Sequence, residues 1–521
     1  MEGGAAPTHI RPRLIAVILL AATAAFAPLS ASATANRAVP DRYRLRSLAP
    51  SRGLTTRPAQ PRLRARANGP APLPLGTGVS PNFPVSPPGQ DAFETSAVTT
   101  DPTFHRTVYA SAEDQSTGGI AGLTSRDAGG NWSSSWLPYP ATGPREFLAL
   151  PSAEFDSASN LYESYLGAAV NGASVATQLL VARSPDRGNT WASPVAVETS
   201  NIPDSAQLAV DTTGGAFKNR AYVAYDTNPV TSPGTYSQPL VLAYSDDGVA
   251  WTKTQVGDTG SAHEAHPAIG PNGEVYLVWT DYCGGYSSNP SGADCLSLSR
   301  TVMLDVARSD SGGDFFQLNV GMNTGRVADL GTTFPYAMPN YSNDCGGSGP
   351  TPIEPSPSVA VDRSGGPHQG TVYAAFAGRY RGSSHAYLVR STDKGANWSP
   401  YVQLDSGNPN TDAWGPAVAV DQSNGAVTVA WYDRRDDSMN KLYRVYYTQS
   451  IDGGQTFLPN EIAVSDRKAD PTVDCLATGA YMQMRAADGI AQPFWTDTDS
   501  GAIVSAFISE RSNYLAPTQI F

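Results

Sequence analysis

Short apolar runs alternate with polar turns along the whole chain. Runs such as LLVARS (179–184), LVLAYS (240–245), AYLVRS (386–391) and VYYTQS (445–450) are β-branched and aromatic, which reads as strand. Each leads into a near-copy of one turn: SRDAGGNW (125–132), SPDRGNTW (184–191), SDDGVAW (245–251), SDSGGDFF (309–316), STDKGANW (391–398) and SIDGGQTF (450–457). Their starts lie 59, 61, 64, 82 and 59 residues apart. A period of this size marks one supersecondary unit repeated around or along an axis. The residue types suit a hairpin corner: Ser and Asp oxygens cap turn N–H groups, Gly takes positive φ, and the last aromatic tucks beneath.

A second motif, strand, Gly/Asp turn, strand, precedes these corners and occurs seven times, for example LAVDTTGGAFKNRAYVAYD (208–226), AIGPNGEVYLVWTD (268–281), VAVDQSNGAVTVAWYD (418–433) and MQMRAADGIAQPFWTD (482–497). Each unit is therefore a four-stranded antiparallel meander. It cannot bury both faces alone, and radial stacking of seven such units gives an all-β, seven-bladed β-propeller, with six blades as the alternative. With strands lettered A to D outward from the axis, the Ser/Asp turns join C to D and share one face with the A–B turns. The last blade either borrows a strand from the N-terminal linker or completes itself with NYLAPTQIF.

Composition agrees with a turn-rich β design: 49 Gly, 42 Pro and 16% charged residues in 521. Residues 1–35 read as an export signal. Arg11 and Arg13 precede an apolar run at 14–27, and small residues follow near Ala33 and Ala35. Fourteen apolar residues fall short of the roughly 20 needed for a helical span. The mature protein is expected to be secreted, monomeric and without a membrane span. Residues 36–90 are Pro/Arg-rich and read as a disordered leader or linker, leaving 91–521 for the propeller. Eleven Arg and two acids lie in residues 1–66, so the remainder carries 24 basic and 45 acidic residues, a formal charge of −21. That balance excludes nucleic acid and anionic membranes as partners. No cofactor is expected, although structural Ca2+ on carboxylate-rich loops is compatible with the composition.

Four cysteines, Cys283, Cys295, Cys345 and Cys475, match no zinc spacing, and export permits disulfides. Cys283 with Cys295 would close a short loop and leave Cys345 with Cys475; three pairings are open. All four fall on the face opposite the Ser/Asp turns, in the long insertions 282–300, 324–355 and 465–478. That face is where a binding cleft is expected.

Candidate chemistry on that face comes in two kinds. Asp226, Asp281, Asp433 and Asp497 each close a B strand after an aromatic residue. Their recurrence points to loop capping, and Asp281, Asp433 and Asp497 are also candidate acid/base groups. Charges that do not recur are Arg379 and Arg381 in AGRYRG and Arg434, Arg435, Asp436 and Asp437 in YDRRDD. Guanidinium groups there would grip a carboxylate bidentately, as an acidic sugar requires; salt bridges within DRRDD are the competing reading. Tyr380 and Tyr432 supply aromatic surface for sugar stacking. The pair in HEAHP (263–267) lies near the axis on extended backbone, which points its two rings apart, and no metal is assigned to it.

The six turns resemble the Asp-box, or BNR, repeat, and the region from about 90 to 521 is similar to the sialidase-like Asp-box propellers of secreted bacterial proteins. That resemblance implies a glycoside hydrolase in which three arginines hold the substrate carboxylate, a glutamate activates a tyrosine nucleophile and an aspartate is acid/base. The matching candidates are Arg379, Arg381 and Arg434 for the anchors, Tyr481 or Tyr432 with Glu354 for the nucleophile pair, and Asp281, Asp433 or Asp497 for the acid. The stretch ahead of the first turn holds only Arg106, in a turn position. Two functions follow: a hydrolase acting on a terminal or acidic sugar of a glycan or glycoconjugate, or a non-catalytic propeller that binds glycans or protein surfaces.

Overall fold

A computed structural model describes residues 78–86, 93–281, 302–318, 356–470 and 482–510, apart from short loops within those spans, together with 326–331, 336–337 and 352–353. Among these residues every regular element is a strand. Seven antiparallel meanders follow one another. Blade 1 uses Phe93–Thr100, Val108–Asp114, Gly119–Ser125 and Trp132–Trp136; blade 2 uses Phe147–Phe155, Leu161–Asn171, Ser174–Ser184 and Val195–Glu198. Blade 3 uses Asp204–Val210, Ala221–Asp226, Leu240–Ser245 and Thr252–Gln255, and blade 4 uses Ala262–Ile269, Val275–Asp281, Val302–Ser309 and Gln317–Leu318. Blade 5 comprises Ser358–Val361, Val372–Tyr380, Ser383–Ser391 and Val402–Gln403; blade 6 comprises Ala413–Val420, Val427–Asp433, Arg444–Ser450 and Ile462–Ala463.

Blade 7 closes the ring. Gln483–Ala487, Ile490–Asp497 and Ala502–Ser505 are its A, B and C strands, and its D strand is Phe83–Pro84 from the other end of the chain. Of the two expected ways to complete this blade, the borrowed strand is observed, and NYLAPTQIF lies outside the described residues. Residues 78–86, counted with the leader in the sequence reading, therefore belong to the propeller. The reason is burial: Phe83 (5% exposed) and Val85 (1%) pack with Val98, Trp132, Phe494 and Ile503 between blades 7 and 1. The A strands touch in ring order from blade 1 to blade 7 and back to blade 1, around an axial channel of about 270 Å³. This is the seven-bladed propeller.

The recurring turns explain themselves as rivets between blades. In each, the first Ser accepts the N–H of the turn glycine, as from Gly129 (2.8 Å), Gly188 (2.8 Å), Gly395 (2.8 Å) and Gly454 (2.8 Å). That Ser donates to the Asp two residues on, for example Ser184 to Asp186 at 2.9 Å. Blade 4 departs from this, with Ser311 at the Asp position. In five of the six the glycine rests on a tyrosine at the second position of the preceding blade's B strand, Gly188 on Tyr109, Gly248 on Tyr162, Gly313 on Tyr222, Gly395 on Tyr276 and Gly454 on Tyr373, while Gly129 meets Gln492 and Phe507 of blade 7. Arginines of the preceding blade add hydrogen bonds to turn carbonyls, Arg308 to Lys394 O and Arg390 to Gly453 O.

Gly188→Ala tests the rivet. Gly188 sits at φ +85°, and a Cβ there would lie 2.8 Å from both Tyr109 and Thr124 Oγ1. Tyr109 is fully buried and its hydroxyl donates to Glu163, so it cannot yield. A loss of about 1–3 kcal/mol is expected, read as a lower denaturant midpoint at unchanged slope.

The turns also set an acid limit. Partial burial pushes Asp127, Asp186, Asp393 and Asp452 up, but the N–H and hydroxyl groups donating to them hold all four below the ordinary carboxylate range, Asp452 at about 2. Depressed folded values mean stabilisation that is full above the unfolded pKa of about 3.9 and is lost as pH falls through the folded values. The melting temperature is expected to drop between about pH 4 and pH 2. The drop should be shallower in Asp452→Asn.

Candidate active site

The strand register decides which side chains meet. The first residue of each B strand pairs with the Ser that opens its blade's turn, as Ala221 with Ser245, Val275 with Ser309 and Val427 with Ser450. Counted from there, Asp281 and Asp433 are the seventh residue, whereas Asp226 is the sixth. Asp497 is the eighth from Ile490, which pairs with Ala487. The four aspartates grouped together in the sequence reading are thus not equivalent. Because successive side chains alternate across a strand, Asp226 projects from the opposite face of its sheet to Asp281 and Asp433. Fifth-position Trp279 packs back on blade 3 and sixth-position Tyr432 forward on blade 7, so Asp226 faces blade 4.

Asp433 fills its carboxylate locally. It accepts from Trp431 Nε1 (2.9 Å), from the Arg435 N–H (2.7 Å) and from Arg435 Nη2 (2.6 Å), while Arg435 Nη1 reaches Glu461 at 2.9 Å. Arg434 is 1% exposed, lies over the Trp414 ring at 4.9 Å and has Asp412 at 3.6 Å. Tyr432 is buried too, stacked on Trp414 at 5.4 Å and edge-on to Tyr443. Of the salt bridges expected within DRRDD, Asp433–Arg435 forms; Arg434 turns instead to Asp412 and Arg435 also to Glu461, with Arg434 enclosed and Arg435 largely so. Asp497 accepts from Ser500 Oγ (2.7 Å) and from Arg467, a cap on its own loop. Asp281 is wholly buried opposite Ala262. Arg379 and Tyr380 end the B strand of blade 5. Arg381, Glu354, Tyr481 and all four cysteines lie outside the described residues.

A different group gathers where blades 3, 4 and 5 meet at the rim of the channel. Asp204 opens the A strand of blade 3 directly opposite Asp226. The corresponding partners of Asp281 and Asp433 are Ala262 and Ala413. Asp226 Oδ2 lies 2.8 Å from His263 Nδ1, the two side chains being 0% and 2% exposed. The next residue, Glu264, takes φ +54° at a bulge in the A strand of blade 4, and Ser205 takes φ +48° at the matching bulge in blade 3. Those bulges turn Ser205 Oγ toward Glu264 Oε1 (3.2 Å). Ser356, entering blade 5, donates to Glu264 Oε2 at 3.3 Å and lies 3.3 Å from His266 Nε2. Left-handed backbone at a buried glutamate costs about 1–3 kcal/mol and is kept only where the surroundings impose it.

The electrostatics follow from this crowding. Burial, then the charge of Asp226, pushes Asp204 well above the usual carboxylate range, and Asp204 keeps partial exposure. Burial alone would lower His263, but Asp226, Glu264 and Asp204 more than offset it and the net shift is upward. Burial drives His266, which lines the channel, down to about 4, so it is neutral. The rim thus sets a carboxyl group whose neutral form is favoured close to a histidine whose charged form is favoured. Among the described residues no group of three His, Cys, Asp or Glu is arranged to hold a metal ion. The two histidines of HEAHP point apart, one into the blade interface and one into the channel. Asp204 was missed in the sequence reading; the signal for it was an acid opening the A strand of the same hairpin whose B strand ends in Asp226.

No family model and no curated protein matches the chain. Among solved structures it is similar to the Hadza microbial sialidase Hz136, at 12% identity over 79% of this chain and 75% of that one, with a TM-score of 0.43. It is similar also to the intramolecular trans-sialidase from Ruminococcus gnavus, at 12% identity over 70% and 96%, TM-score 0.44. A third likeness is to the α-L-arabinofuranosidase Arb93A from Fusarium graminearum, at 16% identity over 72% and 98%, TM-score 0.41. At these identities no residue role is carried from them to this chain.

Proposed function

We propose that this chain is an exported, carbohydrate-active propeller, a glycoside hydrolase whose acid is Asp204. The observation that carries the reading is the carboxyl pair Asp204/Asp226, set directly across one hairpin where blades 4 and 6 pair aspartate with alanine. Two carboxylates so placed cannot both ionise at ordinary cost, so one proton stays with the pair. Asp204, the more exposed member, donates that proton to a glycosidic oxygen at the rim as the bond to the anomeric carbon breaks, and water adds to that carbon and gives up a proton. The charge left on Asp204 is then met by His263, which Asp226 holds in its protonated form. Export is supported by the N-terminal pattern of basic, apolar and small residues.

The described rim residues are three carboxyl groups, two histidines and two serines, while Arg434 and Arg435 are spent on Asp412, Asp433 and Glu461. This composition supports a neutral sugar over an acidic one as the substrate, since an anionic ring would meet like charge. The test is a panel of fluorogenic glycosides, neutral, amino and sialosidic, run with the wild type and Asp204→Asn. Turnover of a neutral glycoside that is lost in Asp204→Asn supports the proposal. No turnover on any member, with binding retained on a glycan array, overturns it in favour of a binding module.

A further inference from the structure

The opposite end of the axial channel, beneath the A–B turns, carries a second set of groups that the proposed hydrolysis does not use. Arg363, in the A–B turn of blade 5, has its guanidinium in the channel lining and donates through Nη1 to Thr212 Oγ1 of blade 3 at 3.1 Å. Glu154, near the end of the A strand of blade 2, also lines the channel and accepts from Thr99 Oγ1 of blade 1 at 2.8 Å. The Phe155 N–H also acts on the Glu154 carboxyl, and no ion pair within 4.0 Å joins the two charged groups. A guanidinium has five N–H donors, and one of those on Arg363, which lines the channel, has a described partner. A second guanidinium, that of the buried Arg485 of blade 7 (6% exposed), donates to Thr100 Oγ1 (3.3 Å), Gln492 Oε1 (2.8 Å) and Ala128 O (3.4 Å). It too has no carboxylate within ion-pair distance among the described residues.

We propose that the axial channel holds a small monovalent anion at this end, between the Arg363 guanidinium and the Glu154 carboxyl. Neither guanidinium has a carboxylate within 4.0 Å among the described residues, so a close counter-charge to Arg363 is left to an ion in the channel, where low-dielectric walls strengthen the field. The described channel measures about 270 Å³, room for a halide or formate together with the water that would solvate its open side. Glu154 completes the site as a hydroxyl donor when it is neutral. Burial pushes its carboxyl up to about 7, with Thr99 and the more distant Arg363 opposing. Burial likewise lowers Arg363 and brings Arg485 to about 10, leaving both charged at neutrality. The other charged group facing Arg363 is Asp211 of blade 3; Asp421 and Asp488 face Arg485. Binding is therefore proton-linked. Below about pH 7 the anion meets a neutral acid and a cation, and above it the Glu154 carboxylate takes the anion's place as counter-charge to Arg363.

The experiment is chloride titration of the full chain at constant ionic strength, gluconate replacing chloride, followed by thermal unfolding at pH 6 and pH 8, with crystals grown in bromide for anomalous scattering. A saturable rise in melting temperature is expected, with an apparent affinity about tenfold weaker at pH 8 than at pH 6, the ratio of protonated Glu154 at those two pH values. Arg363→Gln is expected to abolish the rise, and Glu154→Gln to make it independent of pH. An anomalous bromide peak within hydrogen-bonding distance of Arg363 would complete the case. Equal chloride response in the wild type and Arg363→Gln overturns the site. Should Arg363→Gln not fold, a pH-dependent response persisting in Glu154→Gln, or no bromide peak in the channel, overturns it as well. None of these readouts involves glycoside turnover, so the outcome is independent of the function proposed above.

Discussion

Asp204→Asn is expected to lower glycoside turnover by about 10²–10⁴-fold, the range for loss of a general acid, without unfolding the protein. The substitution is nearly isosteric and removes a group that opposes folding at neutral pH. Asp204 has a folded pKa above its unfolded value, so its contribution to stability is full below about pH 3.9 and is lost as pH rises through the raised folded value. Asparagine carries no such penalty, and the variant should melt at or above the wild-type temperature at pH 8. In the wild type, turnover should hold at lower pH and fall as Asp204 loses its proton. Asp226→Asn separates positioning from donation. With the neighbouring charge gone, Asp204 ionises more easily and His263 loses its main partner, so the falling limb of the pH–rate profile should move to lower pH. A merely structural role for Asp226 would leave that limb where it is while lowering the melting temperature.

The architecture was legible because its cause is repetitive. A turn that recurs six times does so because each copy performs the same packing task, and the Gly–Tyr contacts show that task to be joining one blade to the next. Ring closure was half legible. The seventh unit's lack of a turn of its own left two ways to complete it, a strand borrowed from the linker or NYLAPTQIF, and FP at 83–84 is too short to stand out in a Pro-rich stretch. Only the buried cleft between blades 7 and 1 gives Phe83 and Val85 a place.

The site was harder to read, for a reason visible in Asp226 and Asp281. Read along the chain, AYD and WTD look alike. One residue of register separates them, and on a strand that moves a side chain to the other face. The bulges at Ser205 and Glu264 are equally silent in sequence, since neither residue is one that favours positive φ. DRRDD shows the opposite failure: charge density drew attention to arginines already held by Asp412, Asp433 and Glu461. The informative departures from the repeat were an acid opposite an acid in blade 3 and an arginine, Arg363, in an A–B turn.

Removing residues 1–89 is expected to cost the protein its cooperative folding, whereas removing residues 1–76 should leave the melt unchanged. The shorter deletion stops before the outer strand of blade 7. The longer one takes Phe83 and Val85 out of the core, each worth about 1.5–3 kcal/mol of burial. It also removes the backbone bonds from Val85 N to Ile503 O (2.8 Å), Ser80 N to Phe507 O (2.9 Å) and Ser509 N to Gly78 O (2.7 Å), and so bares the Ala502–Ser505 edge. Together these amount to a large part of the 5–15 kcal/mol that typically separates folded from unfolded. Phe83→Ala keeps the strand and empties only its pocket, for an expected loss of about 3–5 kcal/mol. A ring closed by a non-covalent latch opens there first, so hydrogen exchange in Phe83→Ala should quicken in blades 7 and 1 before blades 3 and 4. Equal melting of the two truncations would show that the seventh blade holds without its borrowed strand, and uniform acceleration around the ring would show that the latch is not where it opens.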